Sequence, residues 1–168
     1  MKRVFLLVLC SLCIASNALA TTGGTAAPYD DHFRYAAARY AVPYNLLLSI
    51  AEHESRLNPW AVNIEGRSYY PKSKEEALAL IAKNQGKSYD LGLMQINVWW
   101  YKRLGVTPEM VLHPEINIIL GAYILGESIA VWDLTWKAVA AYHTPPDKNP
   151  TRAVDYAKRI WSIYKKKG

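Results

Sequence analysis

The residues best placed to do chemistry lie where an apolar helix gives way to a loop, in Ile50-Ala51-Glu52-His53-Glu54-Ser55-Arg56-Leu57-Asn58-Pro59. Leu47, Ile50, Ala51 and Glu54 recur at i, i+3, i+4 and i+7, so they share one helix face. That face is the one a helix turns to a core, and it ends in a carboxylate. A carboxylate driven into an apolar setting answers by binding its proton more tightly. A protonated acid at the edge of a core is what general acid catalysis requires. Glu52, roughly 200° around the helix, is expected in solvent. Taken alone, the stretch slightly favours a second reading: Glu54 as a helix-end carboxylate paired with Arg56 or a backbone amide.

The elements that must position this group can be read from periodicity and punctuation. The pattern predicts helices over Asp30–Tyr40 and over Pro43–Arg56, the latter opening on a proline. Ser73-Lys74-Glu75-Glu76 is a capping box before a short helix that ends near Gly86. Val98–Leu104 reads as a helix stopped by Gly105, and Thr107-Pro108-Glu109 opens a further helical turn. Pro114–Val131 is apolar almost all the way round, which marks the buried centre of the domain. Asp133 is placed to cap Leu134–His143, Thr144-Pro145-Pro146-Asp147 breaks that helix, and Pro150–Lys166 forms the last one. Strand-length alternation is absent, leaving room only for a small β-hairpin within Val62–Tyr70; Ser88–Asn97 reads as a turn around Gly92.

Composition narrows the classes. Met1–Ala20 has a basic start, an apolar run from Val4 to Ala15, and Ala18-Leu19-Ala20 before Thr21, the pattern of a secretory signal peptide. The expected division is a signal over 1–20, a flexible lead over 21–28 and a single domain over 29–168. Leu9 before Cys10 and Leu12 before Cys13 are too large for a lipoprotein signal. Both cysteines leave with the signal, so thiol nucleophiles and cysteine-based zinc sites are excluded from the mature chain. Loss of Lys2 and Arg3 from 20 basic residues leaves a net charge of +4 against 14 acidic ones, a mild excess that suits an anionic envelope. All six Trp and all twelve Tyr lie beyond the signal, as core or as a sugar-stacking surface. His53-Glu54 begins a zincin-like word, but position 57 is Leu, so no metal site is expected. Lys165-Lys166-Lys167 reads as a solvated helix end rather than a nucleic-acid patch.

Three further motifs are weak singly: Gly92-Leu93-Met94-Gln95-Ile96-Asn97, Trp99-Trp100-Tyr101, and Ala140-Ala141-Tyr142. The ordered set Glu54-Ser55, Asn58-Pro59, Gly92–Asn97, Asn117-Ile118 with Gly121 and Tyr123, and Ala140-Ala141-Tyr142 resembles the soluble lytic transglycosylases over roughly Tyr29 to Tyr164. The resemblance decides between the two readings of Glu54. It implies a mainly α, lysozyme-like domain that cleaves peptidoglycan glycan strands between N-acetylmuramic acid and N-acetylglucosamine, leaving 1,6-anhydromuramyl ends. It implies no cofactor and no metal, a monomer, and a periplasmic location without a membrane span once the signal is gone. Glu54 matches the catalytic acid of that family. By the same transfer, Ser55 and Gln95 bond near the acid or the substrate, Met94 lines the subsite, and Tyr142 positions the sugar or holds the carboxyl.

Two departures stand out. His143 occupies the place where an Asn usually follows the Tyr; it reads either as a solvent-exposed helix-end histidine or as a group that reaches the substrate and, as imidazolium below roughly pH 6.5, draws down the proton affinity of Glu54. A long insert between Asn63 and Asp90 is similar to the specialised transglycosylases of conjugation, type IV secretion and pilus machines, so components of such a machine are expected partners. Asp90 and Glu65 are the only other carboxylates placed near the cleft. The competing functions are a non-cleaving peptidoglycan-binding or machine-binding module on the same fold, and a lysozyme that hydrolyses with water.

Overall fold

The structure, a computed structural model, describes residues 27–167. The signal over 1–20, residues 21–26 of the lead, and Gly168 lie outside the described residues. Helix α1 (Asp30–Arg39) buries Phe33 and Ala36 and leads through Ala41 into α2 (Tyr44–Ser55). Pro43 is the N-cap of α2 rather than its first residue, and its carbonyl receives the amides of Leu46 and Leu47. The face bearing Leu47, Ile50 and Ala51 is fully buried.

A small sheet follows, larger than the hairpin the sequence left room for. Strands β1 (Val62–Ile64), β2 (Arg67–Tyr69), β3 (Tyr89–Leu91) and β4 (Ile96–Asn97) lie antiparallel in the order β2-β1-β3-β4. Val62 pairs with both Tyr69 and Leu91, and Leu91 pairs with Ile96, so alternate residues of three strands turn into one apolar layer. Strands of two or three residues are too short to declare themselves by alternation, which is why Ser88–Asn97 reads as a turn. The insert therefore supplies half the sheet, together with α3 (Lys74–Ala82), which seats Ala77 and Ile81 in the core. The capping box is present: Ser73 accepts from the Glu76 amide at 3.2 Å, while the Glu76 carboxylate reaches the Lys72 amide at 2.9 Å.

Helices α4 (Val98–Leu104) and α5 (Pro108–Val111) lead to α6 (Pro114–Trp132). The 19 residues of α6 have the length and apolarity of a bilayer span, yet α6 packs against α1, α5, α7 and β4. Its first three turns bury Asn117, Ile118, Gly121, Ala122, Ile124 and Leu125, while Glu115, Glu127 and, in the last turn, Val131 are exposed. Asp133 does not cap the next helix. It adopts a positive φ of 55° just past the end of α6, and α7 (Trp136–His143) begins after Thr135. Finally α8 (Pro150–Tyr164) crosses α2 and α7, turning Ala153, Tyr156, Ala157 and Ile160 inward. The result is mainly helical, with a small antiparallel sheet on one side, and the end of α2 lies between the two parts.

Candidate active site

Glu54 sits in the last turn of α2, where the chain leaves the helix through two successive left-handed residues, Arg56 (φ 55°) and Leu57 (φ 61°). Such a pair is costly for non-glycine residues and persists only where the surroundings hold it. Here Asn58 closes the turn, its Oδ1 accepting the Trp60 amide at 2.8 Å. Arg56 points to solvent, so the reading of Glu54 as its ion-pair partner fails. The partner is Tyr156 on α8, whose hydroxyl donates to Glu54 Oε1 at 2.6 Å. Burial pushes the Glu54 carboxyl up to about 7, the Tyr156 bond opposes that rise, and the negative charge of Asp90 adds to it. Glu52, by contrast, forms a part-exposed ion pair with Lys167 at 2.7 Å.

Glu54 opens into a cleft of about 810 Å³ between the helices and the sheet. One wall comes from the β1–β2 hairpin and β3–β4 (Asn63, Ser68, Asp90, Asn97), the other from α4, α6 and α7 (Trp99, Ile124, Ser128, Tyr142). Of the residues expected from sequence, Glu54, Gln95, Tyr142 and His143 line this cleft. Ser55 and Met94 do not. Ser55 is 1% exposed, and its hydroxyl lies 2.8 Å from the Leu93 carbonyl and 3.1 Å from the Ala51 carbonyl, both acceptors. One residue along a helix turns a side chain by about 100°, which carries Ser55 behind the cleft when Glu54 faces it. Met94 is fully buried against α6, so it packs beneath the subsite rather than lining it.

The 92–95 loop is fastened from four directions. Gly92 donates to the Ala61 carbonyl at 2.8 Å, Ser55 reaches Leu93, Asn117 Oδ1 accepts the Met94 amide at 2.7 Å, and Tyr142 donates to the Met94 carbonyl at 2.7 Å. Gly92 is required twice over: its φ is +77°, and a Cβ there would lie 2.3 Å from Asn117 Nδ2. Held this way, Gln95 (φ 46°) donates its amide to the carbonyls of Ala61 and Gly92 and faces the cleft. The hydroxyl of Tyr142 is thus engaged by the loop, and the carboxyl is held by Tyr156. Sequence reasoning missed Tyr156; its signal was a tyrosine on the buried stripe of α8, where a phenol needs a partner for its hydroxyl.

The ring of His143 stacks on Tyr156 at 4.7 Å and 22°, while His53 meets the same ring edge-on at 5.4 Å. Burial against these groups, with Arg152 and Arg159 nearby, pushes His143 down to about 4. The expected coupling, an imidazolium formed below roughly pH 6.5, is therefore corrected: His143 stays neutral down to about pH 4, so its charge does not act on Glu54 between those values. Asp90 lies across the cleft on β3, bonded to Asn97 Nδ2 at 2.7 Å, and its carboxyl is raised by burial. Glu65 stands outside the cleft, exposed in the β1–β2 turn. A second groove of about 680 Å³, between α7 and α8, is walled by Trp136, Trp161 and Val154 and contains no carboxyl. A raised acid, its fixed donor and an extended polar cleft are the parts needed to protonate a leaving oxygen in a chain polymer.

The family of the transglycosylase SLT domain matches residues 31–162. The chain is 34% identical over 144 residues to the "Invasion protein IagB" of Salmonella typhi, covering 82% of this chain and 78% of that protein. It is 35% identical over 135 residues to "Protein IpgF" of Shigella sonnei, covering 77% and 76%. It is also 29% identical over 141 residues to an "X polypeptide" of Escherichia coli, covering 80% and 72%.

Proposed function

The chain belongs to the transglycosylase SLT domain family, and from that premise we propose that it cleaves the glycan strand of peptidoglycan with Glu54 as its single acid–base group. The carrying observation is the Glu54 carboxyl, pushed up to about 7 by burial and held by Tyr156 in a cleft of about 810 Å³ lined by polar side chains from both walls. Protonated Glu54 gives its proton to the glycosidic oxygen as the bond from the muramyl C1 breaks. The muramyl 6-hydroxyl then bonds to C1, and the carboxylate takes the hydroxyl proton, which restores the acid. Water is neither consumed nor needed, and the product is a 1,6-anhydromuramyl end. Gln95 and Tyr142 contribute by fixing the floor of the cleft, and His143 by packing on Tyr156.

Export by the 1–20 segment would deliver the enzyme to the periplasm. The invasion protein of Salmonella among its relatives supports service to an envelope-spanning machine. A second reading has one specific observation in its favour. Asp90 places another carboxyl on the opposite wall, and two facing carboxyls are the equipment of hydrolases that use water. Mass spectrometry of sacculi digested by the purified protein separates the two. Anhydromuramyl ends are expected; reducing muramic acid would establish hydrolysis, and uncut glycan would establish a binding module.

A further inference from the structure

The cleft carries one cation among the described residues that line it, Arg152, against the carboxyls of Glu54 and Asp90. Its placement is unfavourable for α8. Asn149 is the N-cap, its Oδ1 accepting the Arg152 amide at 3.1 Å, so Arg152 lies in the first turn, where the helix dipole disfavours positive charge. That turn has no acidic residue, and among the described residues no carboxylate forms an ion pair with Arg152. The guanidinium is exposed at the mouth of the cleft, near enough to act on both Asp90 and His143. Helix stability does not account for such a charge, and a neutral sugar backbone gives it nothing to neutralise. The anionic groups of peptidoglycan are the carboxylates of the stem peptide, attached through the muramyl lactyl group beside the scissile bond. A guanidinium fork matches a carboxylate in two parallel hydrogen bonds.

We propose that Arg152, at the α8 edge of the cleft beside Pro145 and His143, binds a carboxylate of the stem peptide and makes the enzyme selective for peptide-bearing glycan. This rests on the glycan-cleaving reading above, and the test keeps the two apart. Glycan strands carrying their stems, and the same strands stripped of them by an amidase with the freed lactyl carboxylates then capped as neutral methylamides, are cleaved by the wild type, Arg152→Gln and Arg152→Lys. Arg152→Gln is expected to raise KM roughly tenfold on stem-bearing strands with kcat kept, and to leave stripped strands unaffected. Arg152→Lys restores part of the loss, since it returns the charge without the fork. Equal losses on both strands would overturn the proposal, because an effect through Asp90 or through α8 would not distinguish them; no loss on either would overturn it too. Binding of both strands to Glu54→Gln, with and without Arg152→Gln, gives a readout that needs no turnover. Were the wild type to cleave neither strand, the catalytic reading would fail, while weakened binding of stem-bearing strands alone would still sustain the role of Arg152. Unchanged binding would remove it.

Discussion

At Glu54 two influences oppose each other: burial raises the proton affinity of the carboxyl, and the Tyr156 hydroxyl on Oε1 lowers it. Burial dominates, so the acid stays protonated up to about pH 7 and catalysis should fall as pH rises through that value. Glu54→Gln keeps the shape and removes the proton; cleavage of sacculi should drop at least about 10²-fold. The same shift has a sign for stability. A carboxyl whose folded value lies above its unfolded one contributes stability below the unfolded value, and this is lost as pH rises through about 7. Glu54→Gln should therefore resist urea better than the wild type at pH 8, by up to about 3 kcal/mol, and show little difference at pH 4. Equal stability at pH 8 would mean that the ionised carboxyl is not strained by its site. Tyr156→Phe deletes the donor that favours the carboxylate. The alkaline limb of kcat/KM should move to higher pH while kcat falls about tenfold, since the carboxyl is also released from its orientation. A limb that stays in place would reduce the 2.6 Å bond to packing.

Between elements, the site depends on how closely α6 approaches the 92–95 loop. A Cβ at Gly121 would lie 2.5 Å from Met94 Cγ and 2.8 Å from its Cβ, atoms too near the backbone to swing aside. Gly121→Ala should push the loop outward, costing about 1–3 kcal/mol in urea unfolding, and should lower kcat because the Met94 carbonyl anchors Tyr142. A variant of wild-type stability and rate would show that Met94 can repack. Asn117 carries the other half of this contact, reaching the Leu91 and Val111 carbonyls at 2.8 Å as well as the Met94 amide. The helices were legible in sequence because caps, prolines and the 3.6-residue period are local signals; Val98–Leu104 falls where the pattern puts it. The sheet was not, since its strands are shorter than any period that could reveal them. The start of α7 was misplaced because Asp133 looks like a cap in isolation and is instead carried past the end of α6. Within the site, the stripe brought Glu54 forward and the family resemblance chose it, whereas the same resemblance carried over Ser55 and Met94, whose side chains the fold turns away from the cleft. Tyr156 meets Glu54 across 102 positions of sequence, a pairing that only tertiary structure makes.

On the scale of the whole molecule, the cleft is a seam between a helical part that carries Glu54 and a sheet that carries Asp90, and this arrangement bears on how the reaction ends. A hydrolase needs the second carboxyl to act on water or on the anomeric carbon; an anhydro-forming enzyme needs it for neither. Asp90→Asn is a mild way to ask, because an amide oxygen can still accept from Asn97 Nδ2 and preserve the β3–β4 contact. The expected outcome is continued cleavage with anhydromuramyl ends. Because the charge of Asp90 raises the Glu54 carboxyl, removing it should bring the alkaline limb of kcat/KM to lower pH, opposite to the shift expected for Tyr156→Phe. A loss of 10²-fold or more, with reducing ends in the wild-type digest, would identify Asp90 as a working partner and the chain as a hydrolase. Anhydro products with a lowered limb would instead make Asp90 a charge that tunes the acid across the seam without touching the bond that breaks.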